Sequence, residues 1–173
     1  MRKNIILMAL LLLVFSITVN AKNIAEFNYS SFKGASLLDF TLTADLTNNI
    51  VVKGTYSIAD TIIGDANKFD IQGGFRSERY GTWLAGIRKS GNNTGFLLTT
   101  NLRGPAFGED VPFFMDMTME SISWFDSDIY ALSDKIFIGY NINENVAIKG
   151  GLTWILSQGE SEFGPTFGLE TSF

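Results

Sequence analysis

The chain contains no cysteine and no histidine. Without cysteine, no disulfide can brace a small exported domain whose core is thin, so its stability must come from elsewhere. Without histidine, Ser-His and Cys-His nucleophilic catalysis is closed. Zinc sites built from His and Cys are closed with it. Beyond residue 21 no apolar run approaches about 18 residues, so no transmembrane helix is available there. Positive charge is scarce too, with 13 Lys and Arg against 18 Asp and Glu. Nucleic acid demands a basic face and is excluded as a partner.

The first residues carry what the rest lacks. Arg2 and Lys3 precede an almost purely apolar core from Ile5 to Phe15, and Val19-Asn20-Ala21 offers small residues where signal peptidase reads. A secretory signal cleaved after Ala21 is expected. The alternative, an anchoring helix, falls short of the roughly 20 apolar residues a span needs. No Cys follows the cleavage point, which excludes a lipoprotein anchor. Residues 22–173 then form one domain. It carries 11 basic and 18 acidic side chains, a net of −7.

That domain alternates with period two in segment after segment, the pattern of strands with one apolar and one polar face. Leu38, Phe40, Leu42 and Ala44 oppose Asp39, Thr41, Thr43 and Asp45. Phe69, Ile71 and Phe75 oppose Asp70, Gln72 and Arg76. Phe113, Met115, Met117 and Met119 oppose Phe114, Asp116, Thr118 and Glu120. Val146, Ile148, Leu152 and Trp154 oppose Ala147, Lys149 and Thr153. With a first strand around Phe27 and Tyr29 there are ten candidates, and eight if doubtful segments between Gly104 and Asp134 merge. Strands of about ten residues, rising roughly 3.3 Å each and tilted near 40°, span about 25 Å, the apolar band of a membrane barrel. Asn49-Ile50-Val51-Val52-Lys53-Gly54 is weakly similar to Asn145-Val146-Ala147-Ile148-Lys149-Gly150, each after a tight polar turn.

An even strand number with both termini periplasmic puts Thr47–Asn49, Ser77–Gly81, Arg103–Pro112 and Asn143–Asn145 on the periplasmic side. The connections near Ala59–Asn67, Lys89–Gly95, Phe125–Asp134 and Ser157–Glu162 then face outward. Arg103–Pro112 is long for a periplasmic turn.

The last segment alternates from Phe163 to Phe173 and ends Leu169-Glu170-Thr171-Ser172-Phe173. This resembles the C-terminal strand of bacterial outer-membrane β-barrel proteins, and the whole domain is similar in layout to the small OmpA and OmpX barrels. The resemblance implies a closed antiparallel up-and-down transmembrane β-barrel in the outer membrane of a Gram-negative cell, among lipid and lipopolysaccharide. It also implies delivery by periplasmic chaperones and folding by the barrel-assembly machinery, with Phe173 as part of the assembly signal. A soluble periplasmic β-sandwich would alternate as well. Against it stand the aromatic richness of the apolar faces and polar faces charged with both signs.

Those charges are Asp39, Lys53, Asp70, Arg76, Arg88, Arg103, Asp116, Glu120, Lys149 and Glu170. In a narrow barrel they converge on one lumen, where unpaired charge is expensive. They are expected to form an ionic network that plugs the lumen, or to line a narrow channel for small solutes or ions. Paired carboxylates could serve as general acid and base, but a structural network is the expectation, and no enzymatic activity, cofactor or metal is. Asp126 and Asp128, and Glu160 and Glu162, could offer oxygen ligands to Ca²⁺ in outer loops; solvated acidic loops are the plainer reading. Trp83, Trp124, Trp154, Tyr29, Tyr56 and Tyr140 are read as interfacial girdles. Gly34 and Gly91 fall in turns. The expected role is structural or surface-interacting, as a monomer.

Overall fold

The computed structural model describes residues 23–60, 66–77, 80–108, 110–125 and 130–173. The expected signal peptide lies outside them, as do Asp126 and Asp128. Ten strands follow in order: β1 Asn23–Phe32, β2 Ala35–Asp45, β3 Ile50–Asp60, β4 Ala66–Ser77, β5 Gly81–Ser90, β6 Asn93–Pro105, β7 Phe113–Trp124, β8 Tyr130–Asn141, β9 Val146–Ser157 and β10 Glu160–Ser172. Each pairs antiparallel with its sequence neighbours, and β10 returns to β1, so the sheet closes. The eight-strand alternative therefore falls: β6, β7 and β8 all exist within the ambiguous region. Closure leaves no unpaired edge, which hydrocarbon would not tolerate. At the seam Asn23 and Phe173 exchange both backbone hydrogen bonds, 3.1 and 3.0 Å.

The two faces are sorted as the alternation requires. Phe27, Phe40, Ile71, Ile138 and Phe167 are exposed on the outside, while Asp39, Asp70, Gln72, Arg88 and Thr153 are buried within. Among the described residues, buried polar side chains outnumber buried apolar ones, the inverse of a water-soluble domain. A two-sheet sandwich with an apolar core is thereby corrected. The outer face meets hydrocarbon and the inner face carries the polar chemistry.

Trp83, Phe75 and Tyr140 lie outside near the end that holds the termini, and Trp154, Phe163 and Tyr130 lie outside towards the other. These match a pair of girdles. Trp124 does not. It shares the even-numbered inner face of β7 with Asp116, Glu120 and Ile122, and it is buried in the lumen.

The ends of the barrel differ from the expected loops. At the end remote from the termini, Lys33-Gly34, Gly91-Asn92 and Gln158-Gly159 are two-residue turns. Gln158 and Gly159 have φ of 53° and 84°, the paired left-handed conformation of a tight hairpin whose twist matches its strands. The outer connections expected over Lys89–Gly95 and Ser157–Glu162 thus shrink to these turns, and Glu160 and Glu162 belong to β10. At the terminus end two four-residue turns are built alike. Thr47 Oγ1 accepts from the amide of Ile50 at 3.1 Å, and Asn143 Oδ1 accepts from that of Val146 at 2.9 Å. In each turn the residue before the cap donates its amide to the carbonyl of the first residue of the next strand, at 2.8 and 2.9 Å. The similarity of 49–54 to 145–150 therefore has a local structural counterpart. Within the wall, a Cβ on Gly86 would stand 1.9 Å from the Ile71 carbonyl oxygen, so only glycine permits the close approach of β4 and β5 there.

Candidate functional site

The polar residues converge on the lumen, which is built in three layers. The first, a vestibule, opens at the end holding the termini. It is a cavity of about 1100 Å³ whose lining includes Glu26, Lys53, Arg76, Arg103, Asp116 and Glu170. Arg76 pairs with Asp45 at 2.5 Å, and Arg103 Nη1 donates to both Glu170 oxygens at 2.7 Å. The Arg103 guanidinium also lies 3.8 Å over the Phe114 ring, an arrangement that suits its flat, weakly hydrated cation. Phe114 fits there because Gly139 faces it; a Cβ on Gly139 would meet the ring at 2.1 Å.

Lys149 closes the floor of the vestibule. Its Nζ lies 3.1 Å from Glu26, 3.5 Å from Asp116 and 3.6 Å from Glu170, and its side chain is 1% exposed. Oxygens of these three carboxylates lie within 4.8 Å of one another, close enough to share a cation. The ammonium of Lys149 takes that position. Asn101 holds Asp116 from the other side with a donated hydrogen bond of 2.6 Å.

Above lies an ionic belt. Arg88 grips Asp70 with two hydrogen bonds, Nε at 2.7 Å and Nη2 at 2.5 Å, and reaches Glu120 at 3.1 Å. Such bidentate, charge-assisted geometry is the strong form of an ion pair. Lys53 approaches Glu120 at 3.7 Å, and Lys135 pairs with Asp39. Gln72 donates to Thr99 at 2.6 Å, and the Ser30 hydroxyl bonds to those of both Thr153 and Thr166.

The third layer is largely apolar. At the end remote from the termini, Phe32, Leu37 and Ile155 form one buried cluster and Leu97, Ile122, Trp124 and Ala131 another. All seven side chains point inward by strand parity, at the end of the lumen that carries the two-residue turns, and Glu162 faces inward opposite Ile155.

All ten charged residues singled out in the sequence lie on the inner face, each in an ion pair. Five more inner charges went unmarked: Glu26, Asp45, Lys68, Lys135 and Glu162, whose Oε2 is buried without a hydrogen-bond partner. Asp45 stood on the polar face of its strand. Lys68 and Lys135 fell next to segments read as loops, and carrying the alternation one or two residues further back from Phe69 and Ile136 would have placed both inside. Glu26 would have followed from Phe27 by parity. Among the described residues the lumen then holds seven cations and eight anions.

No family model matches the chain, and no curated protein does. Solved structures resemble it in fold. The KdgM porin superposes with a TM-score of 0.52 at 10% identity, over 87% of this chain and 99% of its own. The NanC porin gives 0.48 at 11% identity, over 86% and 98%. The N-terminal β-barrel domain of Pseudomonas aeruginosa OprF gives 0.42 at 16% identity, over 89% and 98%. At these identities the likeness extends to the fold: a bacterial outer-membrane type of β-barrel.

Proposed function

We propose that this chain is a non-conducting barrel of the bacterial outer membrane, whose lumen is plugged by its own ion pairs and whose role is structural or surface-interacting. Export on residues 1–21, cleavage after Ala21 and assembly with Phe173 as signal belong to the same reading. So do a monomeric state and a setting of lipid and lipopolysaccharide. The observation that carries the proposal is the pair of buried apolar clusters at one end of the lumen, Phe32, Leu37 and Ile155 with Leu97, Ile122, Trp124 and Ala131, which this reading takes as a stopper. Below it the belt places Arg88, Asp70 and Glu120 within hydrogen-bond reach across the interior, so a passing ion would have to break pairs. The role for outer loops is narrower than the sequence suggested, because three of the five outer connections are two-residue turns.

A narrow channel is the second reading. The vestibule of about 1100 Å³ favours it, since it runs from one mouth down to the belt. Single-channel recording in planar bilayers separates the two. The plugged barrel gives no steps as wild type, and Ile122→Ala with Trp124→Ala, which thins the stopper, introduces them. Stable wild-type steps abolished by neutralising Lys53 or Arg88 would establish the channel instead.

A further inference from the structure

The belt holds one cation without a counter-ion. Lys68, on the inner face of β4, is 3% exposed and is flanked across the strand pairs by Ser57 and Ser90. Among the described residues no carboxylate lies within ion-pair distance of its ammonium. Asp39 is engaged by Lys135, Asp70 by Arg88, and Glu120 by Arg88 and Lys53. The belt therefore sets Lys53, Lys68, Arg88 and Lys135 against only Asp39, Asp70 and Glu120. The inner carboxylates outside the belt are remote from it: the trio drawn in around Lys149 lies a layer lower, and Glu162, which forms no ion pair, lies beside Ile155 at the other end. A buried charge without a close partner is unfavourable and calls for a counter-charge.

The space for one is present. A cavity of about 40 Å³ lies in the belt, where the cations Lys53, Lys68, Arg88, Lys135 and Lys149 outnumber the carboxylates Glu26, Asp39 and Glu120, and the Ser57 hydroxyl also lines it. One water needs roughly 10–15 Å³ by the same kind of measure, so the cavity takes two or three waters or one small ion. We propose that this cavity is a binding site for a small monovalent anion of chloride size, held by the Lys68 ammonium and a hydroxyl donor from Ser57. The anion supplies the belt's missing negative charge, whether or not the lumen conducts.

The test uses the refolded barrel in detergent, with melting followed as chloride replaces gluconate at constant ionic strength. Gluconate is too large to enter. A ligand that binds only the folded state raises the melting temperature with the logarithm of its free concentration once its site saturates. That rise is expected in chloride and bromide. It is lost in Lys68→Met and kept in Lys68→Arg. Equal melting in chloride and gluconate overturns the proposal, as does a chloride effect that survives in Lys68→Met. Should Lys68→Met fail to refold, anomalous scattering from bromide-soaked wild-type crystals decides: a peak beside Lys68 Nζ supports the site, and its absence there refutes it.

Discussion

Replacing Arg88 by Met tests whether the belt holds the barrel together. The side chains of Arg88 and Asp70 are 7% and 2% exposed, and Arg88 also holds Glu120 at 3.1 Å. Removing the guanidinium strands the Asp70 carboxylate in a dry interior and leaves Glu120 only the looser contact with Lys53 at 3.7 Å. Breaking a buried pair from one side costs about 3–5 kcal/mol, because the surviving charge is uncompensated. Arg76 offers the control. It pairs with Asp45 as closely, but the two are 33% and 19% exposed at the vestibule mouth. Screening by water there reduces the expected loss for Arg76→Met to about 1 kcal/mol or less. The assay is urea unfolding of barrels refolded into lipid vesicles, read by the fluorescence of Trp83, Trp124 and Trp154. A second arm adds Asp70→Leu to Arg88→Met. Exchanging both members of a buried pair for apolar residues of similar volume is often neutral, so the double variant recovers most of the loss. Equal destabilisation by Arg88→Met and Arg76→Met would refute the reasoning. So would a double variant as unstable as the two single losses added together.

Lys149→Ala leaves Glu26, Asp116 and Glu170 with oxygens inside a 4.8 Å span, a fit for Ca²⁺ with its oxygen ligands at about 2.3–2.6 Å. Ca²⁺ is expected to raise the melting temperature of this variant and not of the wild type; no Ca²⁺ effect would mean that the ammonium is what gathers the trio. Gly139→Val drives a side chain into the Phe114 ring and displaces the Arg103 guanidinium stacked on it. Overpacking of this kind costs about 1–3 kcal/mol, and unchanged urea unfolding would show that the ring has room to move. Deleting Phe173 removes both hydrogen bonds that it shares with Asn23 at the closing seam. Heat-modifiability of outer-membrane fractions is expected to show less of the fast-migrating unboiled band, and an undiminished band would remove Phe173 from assembly.

Much of this fold was legible because a membrane barrel writes both faces of every strand into the sequence. Phe69, Ile71 and Phe75 against Asp70, Gln72 and Arg76 leave one sorting that satisfies lipid outside and water inside. What was not legible lay where alternation gives out. Glu160 and Glu162 read as an acidic loop because two carboxylates around a serine look solvated. They are in β10, because the left-handed pair Gln158-Gly159 turns the chain at once. Trp124 read as a girdle residue because tryptophan favours interfaces. Counting its parity from Asp116 and Glu120 gives the opposite face. Individual partners were beyond reach, since which carboxylate meets Arg103 or Lys135 depends on contacts across the lumen between strands distant in sequence. Arg103 and Glu170 are 67 residues apart, and Asp39 and Lys135 are 96 apart.

The charge arrangement itself bears on conduction. Channels that select ions by charge do so with rings of one sign, left uncompensated so that the permeating ion supplies the balance. In the vestibule and the belt, Lys68 apart, opposite signs meet at hydrogen-bond distance: Arg103 with Glu170 and Lys149 with its trio below, Arg88 with Asp70 and Lys135 with Asp39 above. Such an interior does for this barrel what an apolar core does for a soluble domain. The outer face has to be apolar for lipid, so the strands are left a polar face to pack, and polar side chains in a narrow space pack stably only as satisfied pairs. Opening a path would mean unpairing Arg88 from both of its carboxylates and displacing Ile122 and Trp124 above it, which is the physical reason for expecting a silent barrel.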